Sequence, residues 1–508
     1  MKKRKLLVPL ILLGGLVLVV AAVLIISNME KKKEDIKVSG ETIFTLNEAN
    51  ALTISWDSEE NDFAFHRGAD GKWVYDKDEE FPVNQDEVED AFDLFRNLTA
   101  AFVIENVTDF AQYGLTDPVS TVTVTTTERQ EDLVSKEVSP RGEKSAEGEA
   151  HTIQILIGAF SVMDQKRYIS IGDGNVYLLN KDPYETLNVP ESYMIKNDRV
   201  AYFSNIDTTT VTNGGQTWTI KYDPNSRREF SYARNDSYYL ELNGKKLTLD
   251  PDVTLQYFTD IVNILLENYV NYKVRDSELA SYGLDDPEYV VTLNTVTKND
   301  DGTITPGQFT LRFSRSPELR ALDGKEPAEG EEQPEFKAYL RKDDSTIIYE
   351  LSETQYNKLA AVGYNDLRHK KLMPADFGDI ESIDFTVDGE TYTITSVLAD
   401  DVRTHYYDGK PLNISNLKNA VTAFAAQEFT DEGIDGQEEL QMVFHLSSEN
   451  FPSVTLTCIR KDANQSLVLV DGEPQALVLR TRMNSLREAL IKISLGNDVS
   501  ETTTAAAD

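Results

Sequence analysis

The residue types that carry out chemistry are present in this chain, but not at working spacings. The five histidines are His66, His151, His369, His405 and His445. None forms His-x-x-x-His or Glu-x-x-His, the spacings that put two ligands on one helix face. There is no Gly-x-Ser-x-Gly elbow, no Walker loop and no dinucleotide fingerprint. The single cysteine, Cys458, alternates with Val454 and Leu456, which predicts a strand residue facing the apolar side, filler rather than nucleophile. One cysteine also rules out an intramolecular disulfide and a cysteine-based zinc or iron–sulfur site. Asn299-Asp300-Asp301-Gly302 has the look of a calcium loop, but Thr297 occupies the first ligand position and Gln308 the place of the bidentate acid. A β-turn is the expected reading. The acidic runs Asp76–Glu80 and Glu326–Glu332 suit weak divalent binding or, by default, solvated surface. Tyr238, Tyr239, Tyr269 and Tyr272 suit a glycan or peptide groove, and alternation in a strand accounts for them equally well. The expectation is therefore no catalytic residue, no metal and no cofactor. A carboxylate-dependent hydrolase would need two acids converging in one cleft. With 86 acidic residues in the chain, that convergence is a question of three-dimensional structure.

The most distinctive element is a turn that occurs twice. Tyr113-Gly114-Leu115-Thr116-Asp117-Pro118 returns as Tyr282-Gly283-Leu284-Asp285-Asp286-Pro287, 169 positions later. Gly114 and Gly283 suit a positive φ, and Pro118 and Pro287 stiffen the exit. Leu115 and Leu284 are expected to plug a core, with Asp117 and Asp286 accepting local backbone hydrogen bonds. A motif that repeats and weakens along the chain reads as a fold signature rather than a set of ligands.

The elements around this turn repeat with it. A helix is predicted over Gln85–Ala101, with Val88, Phe92, Phe95 and Leu98 on one face. A second is predicted over Pro251–Glu267, with a stripe of Leu255, Phe258, Ile261, Val262 and Leu265, Asp250 as N-cap and Pro251 at the first position. A third, over Asn413–Gln427, carries Ile414, Leu417, Val421 and Phe424, and is followed by Glu432-Gly433-Ile434-Asp435, a worn form of the turn. Strand pairs at Tyr168–Leu179, Ala338–Leu351 and Ser466–Leu479 centre on Asp173-Gly174, Asp343-Asp344 and Asp471-Gly472. Short closing helices follow near Pro183–Leu187, Ser352–Ala361 and Met483–Ile493. Ahead of the three main helices stand Asp70-Gly71-Lys72, Asn243-Gly244-Lys245 and Asp408-Gly409-Lys410. The predicted fold class is α+β: an N-terminal transmembrane helix, then tandem repeats of an antiparallel sheet with a packed helix. Glu128–Ala150 and Pro317–Pro334 read as flexible surface insertions.

The chain has 508 residues and a net charge of -36, enough for several domains and the wrong sign for nucleic acid. Leu6–Ile26 is 21 residues without a charge, long enough as a helix to cross the hydrocarbon core. Its end, Val23-Leu24-Ile25-Ile26, is a poor cleavage site, so an uncleaved anchor is expected rather than a signal peptide. Lys2, Lys3, Arg4 and Lys5 form a tighter basic cluster than Lys31, Lys32, Lys33 and Lys37, which places the N-terminus in the cytoplasm and the rest outside. The expected organisation is a cytoplasmic N-terminus over 1–5, an anchor over 6–26, a charged stalk over 27–41, repeats over 42–199, 200–365 and 366–495, and a disordered tail over 496–508.

The paired turn, the Gly71-Lys72-Trp73-Val74 segment ahead of a helix, the Ile157-Gly158 strand and the strand at Val176-Tyr177, together with the anchor, resemble the bacterial family known as DUF4340, a domain of unknown function. The first copy matches best. The second keeps the turn but has Ser237-Tyr238-Tyr239 in place of Gly-Lys-Trp, and the third matches in outline. Members of this family are often encoded beside export-type ABC transporter components, including gliding-motility-type proteins. The resemblance therefore implies a non-catalytic, membrane-anchored, extracytoplasmic accessory or scaffold protein with an ABC transporter as partner. It supplies no catalytic residues. The alternative is an extracytoplasmic module binding envelope glycan or peptide.

Overall fold

The computed structural model describes residues 40–128, 133, 149–223, 227–325 and 334–499. The expected anchor at Leu6–Ile26, the stalk up to residue 39, most of the Glu128–Ala150 insertion, the acidic run Glu326–Glu332 and the tail from residue 500 lie outside them. Among the described residues no helix is long and apolar enough to cross a membrane.

Alternating apolar and polar residues write the strands. Ser120–Thr126 buries every second side chain, as do Ile380–Val387 over most of its length and Glu438–Leu446. This is the period-two signature of a strand with one face on a core. Among the described residues the strands form three antiparallel sheets of nine, so the α+β reading stands with strand predominant. Their strands run over 41–179, 205–351 and 380–479.

All three sheets share eight strands in one spatial order and differ in the ninth. The strands before the main helix form one meander and those after it form a second. The first strand of each meander lies against the other, with Ile54 opposite Val124, Val211 opposite Val291 and Phe385 opposite Met442. Between the meanders the helix carries the chain across the sheet, so that the short strand after it pairs with the last strand. Ala100 then stands opposite Leu179, Tyr269 opposite Tyr349 and Phe429 opposite Ala476. The first sheet adds an edge strand, Glu41–Thr45, and the other two add Lys245–Thr248 and Lys410–Pro411.

The crossing helices are shorter than their periodicity suggests. The first spans Gln85–Arg96 and buries Val88, Ala91, Phe92 and Phe95. Residues Asn97–Ile104 are strand, and Leu98 is buried from there. Thr99, Val103 and Ile104 favour extended backbone, and this stretch has pairing partners on both sides. The second spans Pro251–Val262. Leu255 and Leu265, expected on its buried stripe, are 49% and 66% exposed. The face turned inward is Thr254, Tyr257, Phe258 and Ile261, fixed by a 3.2 Å hydrogen bond from the Tyr257 hydroxyl to the Leu359 carbonyl. Asp250 does cap this helix, accepting from the Asp252 and Val253 amides. The third spans Ser415–Ala423 with Leu417 and Val421 buried. The closing helices span Tyr184–Leu187, Glu353–Ala360 and Arg480–Ser494. Cys458 is buried beside Val454 and Leu456, and burial pushes its thiol up to about 12. Asn299–Gly302 is the expected β-turn, closed by a 2.9 Å bond from the Gly302 amide to the Asn299 carbonyl.

The chain divides into two compact units. The first holds the chain up to Arg199 with Leu266–Arg275 and Ser345–Tyr349 of the second copy. It shows that the acidic run Asp76–Glu80 is more than solvated surface. Asp78 accepts from the Tyr272 hydroxyl at 2.9 Å and pairs with Lys273, Glu80 pairs with Arg275, and Asp76 lies 2.5 Å from His66. The Phe81 ring packs edge-on against Tyr272, 5.1 Å between centroids. The buried Phe81 ring beside these charges gives the run a packing role that charge counting misses.

The second unit holds the rest of the second copy and all of the third. Arg234 pairs with the buried Asp379 through both carboxylate oxygens, and the rings of Tyr232 and Phe451 meet at 5.7 Å. Between these copies His369 sits in a carboxylate clamp. Its Nε2 is 2.8 Å from Asp236, which is 1% exposed, and its Nδ1 is 3.4 Å from Asp250. Ser231 donates to the other oxygen of Asp236 at 2.6 Å. Burial alone would lower the His369 pKa, but hydrogen bonds to Asp236 and Asp250 outweigh it and raise the group to about 9. An unfolded histidine titrates near about 6.5. The clamp therefore adds stability that is fully present below about pH 6.5 and is lost as pH rises through about 9. Thermal melting of the full chain between about pH 6 and about pH 10 is expected to show this fall, and His369→Gln to flatten it. His369→Ala, which leaves a buried carboxylate without its cation, is expected to cost about 3 kcal/mol at neutral pH.

Candidate functional site

The repeated turn is built alike in its first two copies. A short 3-10 helix ends at Tyr113 and at Tyr282. Gly114 and Gly283 follow in the left-handed region, at φ 70° and 65°. The amide of Leu115 donates to the Phe110 carbonyl at 3.1 Å and that of Leu284 to Leu279 at 3.0 Å. Leu115 and Leu284 are buried. The Tyr113 ring lies 5.0 Å from Tyr168, and the Tyr282 ring 5.1 Å from Tyr339. The aspartates do not do what local turn chemistry predicts. Asp117 is exposed, and the Asp286 carboxylate is 94% exposed, 3.9 Å from Arg320. It is the Asp286 backbone carbonyl that is used, accepting from Arg320 Nη1 at 2.7 Å. Pro118 and Pro287 are half-buried and lead directly into the central strand of each sheet. In the third copy Gly433 is not left-handed and no 3-10 helix precedes it, so the worn sequence gives a plain coil.

In the second copy this turn forms one wall of a cleft of about 1380 Å³. The other walls are the tip of the first hairpin at Asn213–Gly215, the segment Leu319–Lys325, and the closing helix through Glu353, Tyr356, Asn357 and Ala360. At its centre stands Glu288, the residue after Pro287. Arg315 reaches it with Nη2 at 2.5 Å and with its backbone amide at 2.7 Å. The Tyr356 hydroxyl donates to Glu288 at 2.7 Å. Arg315 also forks onto Asp323 at 2.9 and 2.7 Å. Burial works against the charge on Glu288, but the guanidinium, the amide and the hydroxyl outweigh it and hold the carboxyl below its usual range. The Glu288 and Asp323 hydrogen bonds push Arg315 up. Burial and then the bond to Glu288 push the Tyr356 hydroxyl up. The cluster is thus a fixed anion–cation–anion row with a protonated phenol, surrounded by the half-buried rings of Tyr289 and Phe336.

Sequence reasoning singled out the turn but missed Glu288, Arg315, Asp323 and Tyr356. A signal was available. Counting outward from the Asn299–Gly302 turn pairs Tyr289 with Phe313, which brings Arg315 to the end of the strand beside Glu288. The short helix Pro317–Arg320 also makes the start of the Pro317–Pro334 insertion an anchored wall, not a loose loop. The four tyrosines expected to suit a groove do not line this one. Tyr238 and Tyr239 are buried against Phe258 and Phe230, and Tyr269 packs on Tyr272. Adjacent aromatic strand residues find sheet partners first. Among the described residues no group of three His, Cys, Asp or Glu side chains is placed to hold a metal ion.

Substitution separates the structural parts. Tyr356→Phe is expected to cost about 1.5 kcal/mol, the worth of a hydrogen bond to a charged acceptor. Arg315→Ala, which strands a half-buried carboxylate, is expected to cost about 3 kcal/mol. Gly114→Ala is expected to cost more than Gly283→Ala, about 2 kcal/mol against about 1. A Cβ at Gly114 would lie 2.8 Å from the Ala159 amide nitrogen, while at Gly283 the nearest atom is 3.1 Å away. Thermal and denaturant melts of the four variants check the order.

No curated protein and no solved structure matches this chain. A protein family does, twice. The family described as "Domain of unknown function (DUF4340)" matches residues 73–270 and again residues 248–441. Both matches begin on an edge strand just ahead of a crossing helix, at Trp73 and at Thr248, and the first runs on into the second copy, overlapping the second match over 248–270. The chain belongs to the DUF4340 family.

Proposed function

We propose that this protein is a non-catalytic scaffold, anchored to the membrane by Leu6–Ile26, with its sheets outside the cell, that works as an accessory subunit of a membrane assembly such as an ABC transporter. The observation that carries this reading is how the ionisable clusters are used. Acid–base catalysis needs a group that titrates near the working pH. The cleft groups are moved away from it: burial and then Glu288 keep Tyr356 protonated, Arg315 and Tyr356 outweigh burial to hold Glu288 ionised, and Glu288 and Asp323 hold Arg315 charged. The Asp236–His369–Asp250 clamp is spent on joining two copies. Repeated sheets that share eight strands in one order, braced within each unit by such pairs, suit a docking surface. The tight basic cluster Lys2–Lys5 ahead of the apolar run supports the outward orientation.

The second reading is an extracytoplasmic ligand-binding module, favoured by one observation, the cleft of the second copy with its central ion-paired row and flanking rings.

Crosslinking of the full-length protein in native membranes, followed by purification and mass spectrometry, tests the first reading. Recovery of a permease or ATPase, lost when Leu6–Ile26 is exchanged for a cleavable signal, is the expected result. Recovery of the protein with no membrane partner contradicts it.

A further inference from the structure

The cleft of the second copy has a counterpart in the third. A smaller cleft of about 590 Å³ lies between the tip of the first hairpin at Asp388-Gly389, the start of the central strand at Gln437–Leu440, and the closing helix. The two correspond position by position. Thr212 and Thr386 are the second-last residues of the first strand, and each shares a hydrogen bond with its cross-hairpin threonine, at 3.0 and 2.9 Å. Strand register then fixes the acid. Thr212 faces Val290 and Thr386 faces Gln441, so Glu288 and Glu439 stand two residues before those partners. Their side chains are 14% and 15% exposed, and each is paired with an arginine, Arg315 in one copy and Arg480 in the other. The closing helices line the clefts with four residues each at one spacing: 353, 356, 357 and 360, then 480, 483, 484 and 487. The third member of each set is an exposed asparagine, Asn357 and Asn484. The arginine comes from a strand end in one copy and from a helix start in the other, so the pair has been rebuilt while the acid and the amide keep their places.

We propose that these two clefts are duplicated binding sites for a neutral oligosaccharide; this rests on the ligand-module reading. Three features select the ligand class. Charge is close to balanced in both: Asp286, Glu288, Asp323 and Glu353 stand with Arg315, Arg320 and Lys325 in the second copy, and Asp388, Glu438 and Glu439 with Arg480 and Arg487 in the third, where Glu439 takes Arg480 and Asp388 takes Arg487 at 2.5 Å. A strongly anionic or cationic ligand would have to break these pairs, whereas a hydroxyl can share them. Backbone capture of a peptide is closed off, because the strands at each cleft are already paired on both sides and strand addition needs a free edge. What remains to bind with is a threonine hydroxyl, a held carboxylate and guanidinium, and a side-chain amide, groups that donate to and accept from sugar hydroxyls. In the second copy the half-buried Tyr289 and Phe336 add apolar faces to the larger cleft, the mixture of few placed polar groups and rings that ligand sites use. In the first copy Val119 follows Pro118 where Glu288 follows Pro287, so that copy lacks the central acid.

The test is calorimetric titration of the full chain in phospholipid nanodiscs free of glycoside detergent. The probes are neutral tetrasaccharides of glucose and of N-acetylglucosamine, with tetra-alanine as the peptide control. Asn357→Trp and Asn484→Trp fill the clefts from exposed helix positions, and an unchanged melting temperature shows that each variant is folded. The expected result is saturable binding of one of the saccharides. Each single variant should lose part of it, and the double variant should weaken it by at least about tenfold. No saturable binding of either saccharide, or binding that survives in the double variant, overturns the proposal. Binding of tetra-alanine alone, lost in the double variant, overturns the saccharide assignment and leaves the ligand-module reading standing. Absence of binding by all three probes counts against both.

Discussion

The structure depends on one crossing. In each copy the chain leaves a finished meander, passes as a helix over the face of its own sheet, and pairs its next short strand with a strand that the chain has not yet made. Tyr269 opposite Tyr349 and Phe429 opposite Ala476 close that loop. The helix must therefore bury a face in order to span the sheet. The aromatic contacts around it, such as Trp73 against Phe92 at 5.7 Å and Tyr238 against Phe258 at 5.9 Å, follow from that demand. A long-range pairing of this kind costs loop entropy before it is rewarded. The tight turn at Gly114 and Gly283 shortens what remains by reversing the chain directly into the central strand.

The clefts are a by-product of the same geometry. The central strand begins where the turn ends, and the closing helix must come back beside it. The first hairpin tip stands on the remaining side. Turn, hairpin tip and helix bound the cleft of the second copy, and the start of the central strand, hairpin tip and helix bound that of the third. The chemistry there is set by the residue at the start of the central strand: Glu288 in the second copy, Glu439 in the third, and Val119 in the first. Burying that glutamate requires a cation, and two different arginines meet the requirement in two copies. Recruitment of a charge partner from whichever element lies nearest is what a desolvated carboxylate enforces.

Much of this was legible in the sequence. The turn, the three copies, the hairpins around Asp173-Gly174 and Asp471-Gly472 and the helix at Pro251 with its Asp250 cap can be read from local spacing, because local backbone chemistry decides them. Helix ends were not legible in the same way. Leu98 fits the helical stripe of the first copy, yet pairing on both sides makes Asn97–Ile104 a strand, an instance of sheet context overriding periodicity. Leu255 and Leu265 fit the stripe of the second helix, but the Tyr257 hydroxyl fixes a different inward face. The clamp at His369 joins residues 133 and 119 positions away in the chain, and no spacing rule reaches that far. Glu288 and Arg315 were within reach, had hairpin register been counted out from Asn299–Gly302.

The crossing can be tested with the chain's own cysteine economy. Cys458 is buried, so introduced cysteines are read against a quiet background. Cysteine pairs at Phe102 and Leu178 and at Glu428 and Leu477 join the strand after the first and the third crossing helix to the last strand of its sheet. A pair at Thr386 and Thr391, in an ordinary hairpin, serves as control. The account predicts that all three pairs close as intramolecular disulfides on mild oxidation of the folded, full-length protein. Closure of the control with the two crossing pairs left reduced, or joined only between molecules, would contradict it.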